Sequence, residues 1–133
     1  MAASFNFELV SPERLLMSAS VTEVVLPGSE GEMTVMAEHA PTMTTIRPGV
    51  LTVKEASGQS QRFVVFGGFA DILPTGCTVL AESALAVGDL KKDALTKRVD
   101  QAKADLEAAK SDEAKTRIAQ LIADLGSLSS LAA

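Results

Sequence analysis

The sequence contains no Trp and no Tyr, and only five Phe. Single-stranded nucleic acid is held on aromatic platforms, so that class of binding has little to work with here. Positive charge is also short: twelve Lys and Arg stand against seventeen Asp and Glu, a formal net charge of −5. Phosphate backbones recruit basic surface, and no nucleic-acid partner is expected. There is one cysteine, Cys77, and one histidine, His39. A lone Cys cannot close an internal disulfide, so nothing implies an oxidising compartment. One His and one Cys also fall short of a zinc ligand set, and no metal is expected. No apolar run approaches the roughly 18 residues that span a bilayer, and neither a signal peptide nor an Arg-rich presequence is visible. The expectation is a soluble protein that reaches a membrane only through partners.

What is present is enough apolar residue for a real core. The chain has 133 residues, 47% of them hydrophobic, which suits one domain, or one small domain with an appendage. Residues 1–88 hold nine acids and four bases, whereas residues 89–133 hold eight of each. All five Pro and eight of the nine Gly also precede residue 89. Composition alone therefore divides the chain near Gly88, into residues 1–88 and 89–133.

The first part reads as strands. Phe5, Phe7 and Leu9 alternate with Asn6, Glu8 and Val10, the period of a half-buried strand. Further strands are expected at Leu15–Met17, Val21–Leu26, Met33–Ala37, Thr42–Ile46, Val50–Glu55, Arg62–Phe66, Phe69–Leu73 and Cys77–Ala81. Turn signals separate them: Ser11-Pro12-Glu13, Pro27-Gly28, His39-Ala40-Pro41, Pro48-Gly49, Ala56 to Gln59 and Pro74-Thr75-Gly76. Arg62–Phe66 is apolar on both faces, which suits a strand covered on both sides. The pair Gly67-Gly68 predicts a bulge or a close backbone approach, since no helix follows to make a phosphate cradle. Short strands at such intervals indicate a β-sandwich or barrel. Its expected core is Phe5, Phe7, Val25, Val35, Phe63, Val65, Ile72 and Val79.

The period then changes. Leu95, Val99, Ala102, Leu106 and Ala109 draw one helical seam, and Ala114, Ile118, Leu121, Leu125 and Leu128 draw a second. Asp89 is the candidate cap of the first helix, Ser111 of the second, and Gly126 the expected stop. The short connection Ala109–Ser111 makes the helices an antiparallel hairpin. Helices this short are marginal alone, so they must lean on a neighbour, and Ser127–Ala133 is expected to be a loose tail. The fold class is α+β: an N-terminal β-sandwich followed by a C-terminal two-helix hairpin.

Catalysis finds no footing. His39 lies in a turn with no second catalytic type beside it, either as a contact or titrating residue or as a loop His bonding its own turn. Cys77 reads as a small buried hydrophobe, and Asp71 as a hydrogen-bonding residue at a turn or strand end. Ser29-Glu30-Gly31-Glu32 has glycine but no Lys, so it is no phosphate loop. The helical Lys and Arg alternate with Asp and Glu, as on a solvated face. The stretch from Pro27 to Gly49 instead sets short strands between exposed loops carrying Glu30, Glu32, Glu38 and His39. That arrangement predicts a docking surface and no enzyme activity.

The segments FELVSPERLL, LPGSEGEMTVMAEHAPTMTTIRPGVL and FVVFGGFADILPTGCTVLAE together resemble the epsilon subunit of bacterial F-type ATP synthases. The family includes the delta subunit of the mitochondrial enzyme. The match runs in order over nearly the whole chain. The resemblance implies a non-catalytic rotor subunit at the foot of the central stalk, with no cofactor of its own. It would bind the gamma subunit and the membrane c-ring on the cytoplasmic face of the bacterial inner membrane, and couple ring rotation to the catalytic head. Carried over by position, Ser29, Glu30, Gly31 and Glu32 match the loop facing the c-ring. Ser11, His39 and Thr44 match positions on the rotor-facing side, toward gamma and the ring.

The hairpin departs from the family pattern. The family's nucleotide motif reads Ile or Leu, Asp, two spacers, Arg and Ala; here Lys91 stands for the Asp and Ala94 for the Arg. The second helix also has only two bases, Lys115 and Arg117, to offer an acidic catalytic head. The resemblance thus implies coupling with weak or absent self-inhibition of ATP hydrolysis. The alternative is a free-standing β-sandwich module that binds a ligand or peptide.

Overall fold

The computed structural model of the protein describes residues 3–132. The alternation at the N-terminus becomes β1 (Phe5–Val10), which buries Phe5, Phe7 and Leu9 and exposes Asn6 and Glu8. Eight strands follow: β2 (Leu15–Gly28), β3 (Gly31–Val35), β4 (Thr42–Ile46), β5 (Gly49–Glu55), β6 (Ser60–Val65), β7 (Gly68–Leu73), β8 (Gly76–Ala81) and β9 (Ala84–Ala86). The two expected strands at Leu15–Met17 and Val21–Leu26 are one continuous β2. No Gly or Pro separates them, so nothing breaks the strand before Pro27.

That length lets β2 serve both layers of a sandwich. Its first half pairs antiparallel with β1, from Leu15 opposite Val10 to Val21 opposite Phe5. Its second half lies between β3 and β5, with Val24 opposite both Val35 and Val53. The register shifts between Val21 and Glu23. One layer is therefore β2–β1–β8–β7–β4, in which β1 and β8 run parallel. The other is β3–β2–β5–β6–β9.

The inward faces meet in a core that includes Phe7, Leu9, Val21, Val24, Leu26, Leu51, Val53, Ile72 and Val79. Val25 is the exception to the expected core: it is only half-buried, while Val24 and Leu26 point inward. The register shift just upstream flips the alternation, since each one-residue slip exchanges the two faces. Phe63, Val64 and Val65 are buried in succession, so both faces of β6 are covered there. Gly68 sits at φ +133°, and a Cβ on it would collide with the Leu80 carbonyl oxygen. Only glycine satisfies both conditions, which explains the glycine at the start of β7.

A second compact unit begins after Ala86. It holds a 3₁₀ turn at Val87–Asp89, then α1 (Lys92–Ala108) and α2 (Asp112–Ser127), which pack on each other. Leu95 and Ala102 are buried from the first seam, Leu125 and Leu128 from the second. Ser111 caps α2, its Oγ accepting from Ala114 N–H at 3.1 Å. Asp89 does not cap α1. It is spent in the 3₁₀ turn, and Lys91 occupies the cap position without a side-chain bond. Gly126 does not stop α2, which runs to Ser127 and passes into a 3₁₀ turn at Ser129–Leu131. Leu128 is buried at 2% exposure, and that burial holds the segment expected to be loose. Ala133 lies outside the described residues.

Candidate functional site

The β1–β8–β7–β4 layer turns one face to the core and one outward. Its pairings align residues across the outer face in rows. In one row Leu15 lies opposite Val10, Val10 beside Leu80, Leu80 opposite Phe69, and Phe69 opposite Thr45. Leu15, Phe69 and Leu80 are each 51–53% exposed, although strands could hide them. The next row runs Ser18, Glu8, Thr78, Asp71 and Met43. Met43 is 70% exposed, and Glu8 and Asp71 are exposed as well. The face is thus an apolar stripe bordered by two carboxylates. Exposed apolar residues set contiguously mark interaction surface.

The stripe borders a shallow cavity of about 320 Å³, lined by Val10, Ser11, Pro12, Gly68, Phe69, Leu80, Ala81 and Glu82. Ser11 is held there by a tight turn. Its N–H donates to Arg14 O at 2.9 Å, and Arg14 N–H donates back to Ser11 O at 3.2 Å. A separate cleft of about 360 Å³ opens between the tip of the β2–β3 hairpin and β4. Ser29, Glu30, Gly31 and Glu32 line one wall, all exposed, and Thr42, Met43 and Thr44 the other. Gly31 adopts φ +128°, a value that lets the two-residue Ser29-Glu30 turn close.

The predicted site residues are therefore split among three places. Thr44 joins residues 29–32, while Ser11 joins the apolar stripe. His39 stands apart in the 36–41 loop, where its Nδ1–H donates to Ala40 O at 2.8 Å. That loop is tied to the 73–76 turn by Glu38 N–H on Pro74 O at 3.0 Å, with Glu38 at φ 63°. Lys91 and Ala94 are both exposed at the start of α1. The sequence reading missed the stripe of Leu15, Val10, Leu80 and Phe69. Its signal was present: β7 is apolar at Phe69 and Leu73 as well as at Ala70 and Ile72, so one face had to be left out of the core.

Cys77 is buried, and its thiol is pushed up to about 12, first by loss of solvent and then by the Asp71 carboxylate. It is no nucleophile at neutral pH. Among the described residues no group of His, Cys, Asp and Glu is placed to hold a metal ion. None of the described helices is long and apolar enough to cross a membrane.

Residues 4–87 match the family model described as ATP synthase, Delta/Epsilon chain, beta-sandwich domain. The chain belongs to the ATP synthase delta/epsilon family. It is 66% identical over 128 residues to a protein of Sinorhizobium medicae named ATP synthase epsilon chain, covering 96% of this chain and 95% of that one. A protein of the same name from Rhizobium rhizogenes is 65% identical over 129 residues, 97% of this chain and 96% of its own. Among solved structures, a chain of the Euglena gracilis mitochondrial ATP synthase (OSCP/F1/c-ring) superposes with a TM-score of 0.73. It covers 98% of this chain and 82% of its own length at 20% identity, so the likeness is one of fold. A chain of the Tetrahymena thermophila ATP synthase central stalk and c-ring gives 0.57 at 13% identity, over 69% of this chain and 73% of that one. As a family member the chain is a non-catalytic subunit of an ATP synthase. The sandwich and its following helices are the fold the sequence predicted.

Proposed function

We propose that this protein is a central-stalk rotor subunit that couples c-ring rotation to the catalytic head of an F-type ATP synthase. The observation that carries the reading is the exposed row Leu15, Val10, Leu80 and Phe69 beside Glu8 and Asp71. A rotor subunit needs a grip that survives torque, and an apolar stripe supplies area while flanking carboxylates set orientation. The gamma subunit docks on this face, near Ser11. The cleft formed by Ser29, Glu30, Gly31, Glu32 and Thr44 meets the c-ring, and His39 contributes to the rotor-facing side from its own loop. Names of relatives as epsilon chains, and structural neighbours from stalk and ring assemblies, support this assignment. The protein then sits peripherally, at the cytoplasmic face of the inner membrane, held there by its partners.

The hairpin inhibits ATP hydrolysis weakly or not at all. Lys91 and Ala94 replace the acid and the Arg of the family's nucleotide motif, and α2 carries only Lys115 and Arg117 as bases. Affinity purification from solubilised membranes tests the whole reading. The protein should co-purify with gamma and leave the membrane with the soluble head. A chain recovered alone would favour a free-standing binding module instead. Removal of residues 89–133 should leave ATP hydrolysis nearly unchanged; a several-fold rise would restore inhibition as a function of the hairpin.

A further inference from the structure

β4 is paired on one side only. It runs along β7 from Thr42 opposite Ile72 to Ile46 opposite Gly68. On its other side the single bridge is Ile46 to Gly28, reinforced by Arg47 N–H on Pro27 O at 2.9 Å. From that closed point β4 diverges from the β2–β3 hairpin, and the 360 Å³ cleft lies in the gap. Beyond Ile46 the outer edge of β4 therefore offers alternate N–H and C=O groups to whatever occupies the cleft. Thr42 and Thr44 turn their hydroxyls to Ala40 O and Thr45 O, at 3.1 and 3.3 Å, and leave those amides unused. The sandwich does not blunt this edge with Lys or Pro, the usual protection against strand pairing. Its rim is charged instead, and with one sign: Glu30 and Glu32 line the cleft, and no base does.

We infer that an extended basic segment of a partner protein enters this cleft and adds to β4 as an extra strand. Backbone bonds to the β4 edge would supply affinity, and Glu30 and Glu32 would select Lys or Arg side chains on the incoming segment. Four residues, Thr42 to Thr45, give a contact of about 13 Å, enough for a short added strand. The inference rests on the rotor reading, since it specifies how the 29–32 loop meets its partner. It differs from that reading in requiring backbone pairing and not merely contact between loops.

Amide hydrogen exchange decides the matter, measured on the free chain and on the chain within the purified ATP synthase. Strand addition slows every second amide of Thr42–Thr45 by at least about tenfold in the complex. The double variant Glu30→Lys, Glu32→Lys, which changes only exposed side chains, should lose most of that protection. If the chain is in the complex but the β4 amides exchange as in the free protein, or slow uniformly without alternation, strand addition is wrong and the rotor reading stands. If the chain is absent from the complex, both fall. Unaltered protection in the charge-reversed variant would overturn the acidic rim as the selecting feature.

Discussion

The apolar stripe makes a quantitative prediction for Phe69→Ala combined with Leu80→Ala. Both side chains are about half exposed, 53% and 51%, so roughly half of each remains to be buried by a partner. Full burial of such a side chain is worth about 1.5–3 kcal/mol, which leaves about 1 kcal/mol from each on docking. The two sit opposite one another on adjacent strands and share a neighbourhood, so their effects need not add. A combined loss of about 2 kcal/mol corresponds to roughly 30-fold weaker binding. Titration of the purified chain against isolated gamma subunit, by calorimetry, would read it directly. Thermal unfolding of the free chain guards against a trivial cause: the outward halves of these residues contribute little to the core, so its midpoint should move only a few degrees. An affinity loss below threefold with an unchanged melt would refute the stripe as the docking face.

Gly68→Ala should cost at least about 3 kcal/mol by urea unfolding, because the new Cβ meets the Leu80 carbonyl at a left-handed φ. Cys77, with its thiol near 12, should resist thiol reagents at pH 8 until the protein unfolds. The unfolded thiol ionises above its ordinary value of 9.0, while the native one keeps its proton. Stability therefore declines as pH rises from about 9 toward 12, by at most about 1.4 kcal/mol per pH unit from this group, and Cys77→Ala should flatten that component. Ser111→Ala should cost the hairpin about 1 kcal/mol by removing the bond to Ala114 N–H, whereas Lys91→Ser should supply α1 with the cap it lacks. Amide exchange in the first turn of each helix would register both changes, and equal exchange in variant and parent would contradict them.

The sequence by itself determined the elements and their order. Period-two alternation at Phe5–Val10 and the four-three spacing from Leu95 to Leu128 follow from which faces must leave water, and that pattern is local. Capping chemistry was only partly legible: Ser111 caps as its neighbours dictate, but Asp89 was drawn into a 3₁₀ turn that no short-range signal announced. The family could also be read, because its motifs are runs of adjacent residues. Tertiary structure alone decided how the strands are shared. The length of β2 and its register shift placed Val24 inside and Val25 out, a choice set by partners about thirty residues away in β5. The same long-range pairing gathered Leu15, Val10, Leu80 and Phe69 into one stripe and parted Ser11, His39 and Thr44. Hydrophobicity says that a residue prefers burial. Only the closed set of strand pairings determines which apolar residues the core has no room for, and those are the ones left to meet a partner.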